Sequence, residues 1–268
     1  MPLVELRGFP PGPGSAPVSI HFRQYGCGAP LFFLHGGWGY GVYPIDRQVT
    51  EFQGEFRIIA PDRCGYGRST QVPGDMPLDF HRRAADETLA VMDALEIERA
   101  AIWGHSDGAV IAAMIGLKAP ERCRRLILEA FHYFRSKPGS RTFFQRFSAR
   151  PDGLGEETQK LLAEDHGKAH WKGVVSRNCN AWLRLGDGCV RGDEDLYDGH
   201  LGKLAVPTMF SHGRWDPRTE PDELQKACAE LPRAAVRIVE NGRHSPHSEA
   251  VAYEECNRAM KEFLESVH

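Results

Sequence analysis

A serine, a histidine and a carboxylate in this sequence have the spacing expected of a nucleophile, its base and an orienting acid. Ser106 stands at the centre of Gly104–Gly108 (GHSDG), a G-x-S-x-G pattern between an apolar run and a stretch of small residues. Such a serine needs a sharp strand-to-helix turn, which only small residues two positions away tolerate. The following helix would offer positive potential to an oxyanion. We therefore predict that Ser106 is a nucleophile; the alternative is an ordinary serine in a glycine-rich turn.

A serine hydroxyl becomes an effective nucleophile when a base takes its proton, so a histidine must lie nearby in the fold. Among the 12 histidines, His244 lies on the loop between the last predicted strand and the last predicted helix, and we predict that it is the base. His247 lies where that helix is expected to begin, so capping or packing is its expected role. A His-x-x-His metal pair is the remaining alternative, and we expect no metal because no third ligand is near in sequence.

The acid that orients the histidine should follow the preceding strand. Asp216, in the stretch Ser211–Pro217 (SHGRWDP), has this position. The alternative for Asp216 is a turn-forming Asp-Pro pair. Glu129, at the end of another predicted strand, is the alternative orienting acid. The chain order Ser106, Asp216, His244 is one in which such triads occur.

The stretch His35–Gly39 (HGGWG) follows a predicted strand, and its glycines allow the backbone to approach a substrate closely. An N–H of this loop could point at the developing oxyanion. We expect the oxyanion hole to consist of the N–H of Asp107 and one from Gly37 or Trp38. The alternative is a plain glycine-rich loop. A dinucleotide fingerprint does not fit, because no strand–loop–helix unit with a downstream ribose acid is present.

Short apolar runs alternate with helical patterns along most of the chain, which predicts a mostly parallel sheet covered by helices on both faces. One helix is indicated by the stripe Ala85, Leu89, Met92 and Leu95. The predicted strands are Leu3–Arg7, Val18–Gln24, Leu31–Leu34, Phe56–Ala60, Ala100–Gly104, Arg125–Glu129, Val206–Ser211 and Ala235–Val239. Further helices are expected at Asp107–Leu117, at Pro221–Ala229 and near the C-terminus. The Pro/Gly-rich Phe9–Pro17 should link the first two strands.

This alternation stops after the sixth strand, where the sequence becomes charged, aromatic and mostly helical in pattern. We predict a helical cap at 131–203, inserted into an α/β core formed by 1–130 and 204–268. His166 and His170 on a predicted cap helix could hold a metal, but a solvated helix face is the expected role. The cap aromatics could line an acyl pocket or pack the cap onto the core: Phe131, Tyr133, Phe134, Phe143, Phe144 and Phe147. We favour the pocket for Phe131, nearest the strand end, and expect Trp38 to bound it.

Five motifs together resemble the α/β-hydrolase superfamily in order and spacing. They are HGGWG (35–39), DRCGYGRS (62–69), GHSDG (104–108), HGRWDP (212–217) and NGRHSPH (241–247). The resemblance covers the chain outside the cap and implies the α/β-hydrolase fold with a Ser-Asp-His triad. DRCGYGRS is similar to the structural turn that follows the fourth strand in this superfamily.

An aspartate directly after the nucleophile resembles the valacyclovir hydrolase (biphenyl hydrolase-like) branch. The resemblance implies hydrolysis of amino-acid esters, with Asp107 binding the substrate's α-ammonium. A carboxylate in the first turn of a helix stays ionised and could pair with such a cation. The alternative is that acids are favoured in a first helical turn whatever the substrate.

Composition excludes several classes of protein. The 36 acidic residues against 33 Lys and Arg give a net charge of −3, and no basic run indicates nucleic-acid binding. No apolar stretch approaches the ~20 residues that span a bilayer, and the first residues lack a secretory pattern. Seven scattered cysteines, with no C-x-x-C, favour reduced thiols in a cytoplasmic protein. The oligomeric state, a homodimer included, is left open.

The sequence therefore predicts a cofactor-free serine hydrolase that cleaves a small carboxylic ester, an amino-acid ester if the branch resemblance extends to specificity. Hydrolysis of C–C bonds, lactones or thioesters by the same triad is one alternative. A ligand-binding receptor that keeps the fold without turnover is another. Epoxide hydrolases and dehalogenases are disfavoured, because those relatives carry an aspartate where this chain has Ser106.

Overall fold

A computed structural model describes residues 2–6 and 17–266 of the chain. Most of the predicted link Phe9–Pro17 therefore lies outside the described residues, as does the end of the first predicted strand. The strands are β1 Leu3–Leu6, β2 Val18–Tyr25, β3 Ala29–Leu34, β4 Phe56–Pro61, β5 Ala100–His105, β6 Cys123–Glu129, β7 Thr208–Gly213 and β8 Ala235–Val239. The helices are α1 Asp46–Phe52, α2 Phe80–Ala94, α3 Asp107–Lys118, α4 Arg141–Ala149, α5 Glu156–His166, α6 Trp171–Asp187, α7 Glu223–Glu230 and α8 Tyr253–Glu265.

The described strands form one sheet in the order β1-β2-β4-β3-β5-β6-β7-β8. Strand β2 runs antiparallel to both of its neighbours, and the other neighbouring pairs are parallel. Every residue of β5 (AAIWGH) is buried, as expected of a central strand covered on both faces. The predicted mostly parallel sheet flanked by helices is confirmed.

The register of the parallel strands gathers their carboxyl ends at one edge of the sheet. His105 pairs with Glu129, and Glu129 pairs with Ser211. Gly213 pairs with Val239 at the end of β8. Loops that follow these strands therefore meet, and open parallel sheets bind their ligands at this edge.

Element boundaries shift by a few residues from those expected. The helix predicted from the Ala85–Leu95 stripe is α2, with Ala85 and Met92 in the core and Leu95 just past the last helical residue. The last helix begins at Tyr253, so His247 does not cap it; His247 is fully buried, which agrees with packing, the other role expected of it. The apolar face of this helix packs into the core through Cys256, Met260 and Phe263.

Helices α4, α5 and α6 lie between β6 and β7, within the predicted insertion. They share a buried apolar cluster with the loop after β3: Trp38, Phe147, Leu162, Trp171, Val175 and Cys179. The division into a cap at 131–203 and a core stays a prediction. No helix among residues 2–6 and 17–266 is long and apolar enough to cross a membrane.

His166 is buried, so the solvated face expected for it is wrong. Its Nδ1 accepts the Gly67 N–H at 2.8 Å, and its Nε2 donates to the Trp38 carbonyl at 2.9 Å. The ring therefore connects α5 to two core loops. His170, at the start of α6, is exposed and takes no part in these His166 contacts.

Candidate active site

Ser106 occupies a strained turn between β5 and α3. Its backbone φ is 55°, in the left-handed region that non-glycine residues rarely adopt. A Cβ at Gly104 would lie 2.0 Å from the Gly108 carbonyl oxygen, and one at Gly108 would lie 1.9 Å from that of Leu34. The two glycines of GHSDG are therefore required by close backbone approach, as the sequence argument supposed.

The structure brings Ser106, His244 and Asp216 together in hydrogen-bonding order. His244 Nε2 lies 3.1 Å from Ser106 Oγ, and its Nδ1 lies 2.9 and 3.0 Å from the two Asp216 carboxylate oxygens. Burial alone would raise the pKa of Asp216, but the charge and hydrogen bond of His244 hold it well below its usual range. An ionised Asp216 fixes the imidazole with its proton on Nδ1, so that Nε2 can accept the serine proton.

The two alternatives, Glu129 and His247, form a separate buried pair. His247 Nδ1 lies 2.8 Å from Glu129 Oε1, and the His247 backbone N–H donates to the same oxygen at 3.1 Å. Trp103 Nε1 donates to the other Glu129 oxygen at 2.8 Å. Burial would raise the pKa of Glu129, but the charge and hydrogen bonds of His247 lower it to about 2. His247 and His244 thus have different carboxylate partners and do not form the alternative metal pair.

A second histidine that the sequence argument missed also contacts the serine. His132 Nε2 lies 3.3 Å from Ser106 Oγ, and its Nδ1 lies 3.0 Å from Lys137 Nζ. Lys137 is buried and ion-paired with Glu223. Burial and the Lys137 charge lower the pKa of His132 well below its usual value, so the ring is neutral. The Lys137 ammonium donates to Nδ1, which leaves the ring proton on Nε2, directed at Ser106.

The loop with the expected oxyanion donors is held by Arg63 of the DRCGYGRS motif. Its guanidinium donates to the carbonyl oxygens of His35 and of Gly36, the latter at 3.0 Å. Gly37 and Trp38 follow and line the same cavity as Ser106. Asp107 is the first residue of α3. The first N–H groups of a helix have no partner within the helix, so they are available to a ligand. The loop and the helix start therefore border one cavity, as an oxyanion hole requires.

The Asp107 carboxylate is buried and accepts three protein donors. Asn178 Nδ2 donates at 2.7 Å and Trp182 Nε1 at 2.9 Å, both from α6, and His81 Nε2 lies 3.3 Å away. Burial would raise the pKa of Asp107, but the hydrogen bond from His81, the charge of Arg63 and the hydrogen bond from Asn178 lower it to about 2. The carboxylate therefore joins α6 to the serine turn.

The serine opens into a cavity of ≈ 430 Å³ between the sheet edge and α4–α6. Its apolar wall comprises Trp38, Phe143, Phe144, Phe147, Leu154 and Trp182. Trp38 stacks on Phe143 with 5.4 Å between ring centroids, in agreement with its expected place at the pocket. Phe131 instead lies in the core, stacked on Tyr197 at 5.4 Å, so its expected pocket role is wrong. In the described structure His132, the next residue, faces the cavity in its place.

Comparisons with known proteins show the family and the fold of this chain. A family model described as alpha/beta hydrolase fold matches residues 29–251. The chain is 25% identical over 264 residues to serine hydrolase BPHL of Homo sapiens, covering 92% of this chain and 84% of that protein. It is 39% identical over 246 residues to the bifunctional esterase/perhydrolase DCH of Acinetobacter calcoaceticus, covering 80% and 84%.

A solved structure resembles the whole described fold. A thermophilic esterase from Thermogutta terrifontis matches with a TM-score of 0.73 and 21% identity, covering 98% of each chain. Together these findings confirm the fold and the resemblance that the five motifs predicted.

Proposed function

Because this chain belongs to the α/β-hydrolase family, we propose that it is a serine hydrolase that cleaves a small carboxylic ester through an acyl-enzyme. The observation that carries the proposal is the continuous hydrogen-bonded order from Ser106 Oγ through both His244 ring nitrogens to Asp216. The relatives named esterase and serine hydrolase support the reaction class.

The reaction would proceed in two halves. His244 Nε2 takes the proton of Ser106 as Oγ attacks the ester carbonyl, and Asp216 stabilises the imidazolium that forms. The N–H of Asp107 and one from Gly37 or Trp38 would bind the oxyanion, each contributing about 10²–10³ in rate. The imidazolium then gives its proton to the leaving alcohol. Water, activated by His244, hydrolyses the acyl-enzyme.

His132 would influence the same oxygen. Its Nε2–H donates towards Ser106 Oγ, which orients the hydroxyl and stabilises negative charge on it. Burial keeps this ring neutral, so it cannot compete with His244 as the base. Two histidines with opposite roles, one accepting and one donating, therefore face one hydroxyl.

The apolar wall favours an acyl or alcohol group of modest size, while the triad itself does not specify the bond cleaved. Cleavage of C–C bonds, lactones or thioesters uses the same residues and is the enzymatic alternative. A receptor that binds without turnover is the alternative outside catalysis. An amino-acid ester is the substrate that the biphenyl hydrolase-like resemblance implies. A cytoplasmic location, a cofactor-free reaction and a lack of nucleic-acid partners stay predictions of the sequence.

Hydrolysis of a simple neutral ester, methyl hexanoate, by wild type and Ser106→Ala tests the proposal. Wild type should turn over and release methanol, while the variant should lose about 10⁶-fold in kcat, as other serine hydrolases do. Intact-mass spectrometry should show an added acyl group on wild type only. Ser148→Ala, a serine on α4 outside the cavity, is the matched control and should keep full activity. Turnover that persists in Ser106→Ala would contradict the mechanism, and binding without turnover would favour the receptor.

A further inference from the structure

We propose that the cavity selects an ester that carries a carboxylate, held by the guanidinium of Arg218. This inference rests on the proposed esterase function and specifies its substrate class. It differs from the substrate that the biphenyl hydrolase-like resemblance implies, which carries an ammonium group instead.

Arg218 is a half-buried cation that lines the cavity close to the triad. Its guanidinium carbon lies 3.7 Å from the centre of the Phe143 ring. Its backbone N–H donates to Asp216 Oδ1 at 2.8 Å, which places the residue directly behind the orienting acid. Among the described residues, the guanidinium has no hydrogen-bond acceptor and no ion-pair partner. Burial lowers the pKa of Arg218, yet a guanidinium stays protonated at neutral pH.

The carboxylates nearest to Arg218 in sequence are already engaged by other groups. Both oxygens of Asp216 face His244. Glu220 accepts the Gly139 N–H at 3.0 Å. A partly desolvated cation with an unused fork of N–H donors is costly to keep and gains from an incoming anion.

The carboxylates that line the cavity are likewise occupied by uncharged donors. Asp107 accepts from Asn178, Trp182 and His81, which fills three of the about four acceptor positions of a carboxylate. Glu249 accepts the backbone N–H groups of Arg243 and Ser245 at 2.7 and 2.9 Å. Asp107 therefore has little acceptor capacity left for a substrate ammonium, and each oxygen of Glu249 already holds one N–H group.

A second cation stands at the cavity wall. Arg243 is exposed, directly precedes His244 and has no described side-chain partner. With Arg218 it leaves two unpaired positive charges around the serine, against carboxylates whose oxygens are occupied. The bidentate geometry of a guanidinium matches a carboxylate, and its charge repels a substrate cation that approaches it. The cavity is thus suited to an ester with an anionic group at its non-reacting end.

Two series of matched esters test this selection. Methyl hexanoate, monomethyl adipate and methyl 6-aminohexanoate share alcohol and acyl length, and end in a methyl, a carboxylate and an ammonium group. Hexyl acetate, 6-acetoxyhexanoate and 6-aminohexyl acetate carry the same groups on the alcohol side. In at least one series, kcat/KM for the carboxylate ester should exceed that of the neutral ester by ~10- to 100-fold, the contribution of a hydrogen bond to a charged group. The ammonium ester should be the poorest substrate of that series.

Variants then assign the preference to Arg218. Arg218→Gln should bring the carboxylate-to-neutral ratio of kcat/KM to about one, since a neutral amide does not attract an anion. Arg218→Lys should restore part of the ratio. Arg214→Gln is the matched control, because Arg214 is ion-paired with Glu240 outside the cavity, and it should leave the ratio unchanged. A neutral ester preferred in both series, or a ratio that survives Arg218→Gln, would overturn the inference.

Failure of the esterase function is recognised separately. If wild type cleaves neither the neutral nor the charged esters, binding is measured in place of turnover. The change in Tm of Ser106→Ala on addition of adipate or of 1,6-diaminohexane then tests the charge selection by itself. Stabilisation by adipate that is lost in Ser106→Ala/Arg218→Gln would keep the anion site without the esterase. Stabilisation by the diamine, or by neither compound, would refute the site as well.

Discussion

The pairing of histidines with carboxylates makes a prediction that separates catalysis from stability. Among the buried carboxylates that face a histidine, Asp216 lies against His244 and Glu129 against His247, and only the first of these two pairs reaches Ser106. We expect Asp216→Asn to lower kcat by about 10⁴-fold, because the amide no longer enforces the tautomer that accepts the serine proton. We expect Glu129→Gln to leave kcat unchanged and to destabilise the fold.

The structure sets the size of that destabilisation. Glu129 accepts two N–H groups of His247 on one oxygen and the Trp103 N–H on the other. In its most favourable orientation, the glutamine of Glu129→Gln keeps its oxygen towards His247. Its NH₂ group then faces the Trp103 N–H, so that two donors meet and neither has an acceptor. Breaking a buried pair in this way costs about 3–5 kcal/mol. With a shift of roughly 2–4 °C per kcal/mol for a chain of this size, Tm should fall by about 6–20 °C.

Kinetics with methyl hexanoate and Tm by calorimetry test both variants, with Glu262→Gln on the exposed face of α8 as the control. The Tm difference between wild type and Glu129→Gln should depend on pH. The pKa of Glu129 is lowered from 4.5 to about 2, so its stabilising effect is complete above pH 4.5 and is lost as pH falls towards 2. The reasoning fails if Glu129→Gln removes activity as severely as Asp216→Asn.

Three further predictions concern the serine turn and the buried histidines. Gly108→Ala should abolish folded, active protein, measured by soluble yield and circular dichroism, because its Cβ would meet the Leu34 carbonyl oxygen at 1.9 Å; a well-folded variant would contradict the close approach. His132→Phe should lower kcat by about 10-fold, the contribution of one hydrogen bond to Ser106, and an unchanged kcat would exclude that donor role. Calorimetric Tm should fall as pH drops below 6.5, because the free energy of unfolding decreases by up to about 1.4 kcal/mol per pH unit for each histidine that the fold keeps neutral and the unfolded chain protonates; a Tm that is flat from pH 7 to 5 would contradict this. These histidines, whose pKa values burial lowers, are His35, His81, His105, His132 and His212.

The fold was predictable from the sequence because its signals are local. The apolar run of β5, the small residues of α3 and the glycines of GHSDG each act over a few residues. The meeting of Ser106, Asp216 and His244 was predictable because chain order and loop position fix which strand end carries each residue. His247 was misplaced relative to the last helix, because the start of a helix depends on weak terminal preferences.

The parts of the site that were missed depend on contacts between residues distant in sequence. His132 acquires its role from Lys137, and Lys137 from Glu223, which α7 supplies. Phe131 and His132 are neighbours that point to opposite surroundings, and only the path of the chain after β6 decides which one faces the cavity. No periodicity or motif marks that choice.

Asp107 shows why a matching residue at a matching position does not by itself decide the function. An acid after the nucleophile fits an ammonium-binding role and a structural role equally well in the sequence. The choice depends on what else reaches the carboxylate, and Asn178 and Trp182 arrive from α6, far along the chain. The Asp107 carboxylate already accepts three protein donors, whereas the guanidinium of Arg218 has no hydrogen-bond acceptor among the described residues and keeps its N–H groups available to a ligand. The charge left unpaired around Ser106, rather than the identity of any one acid, should therefore decide which esters enter.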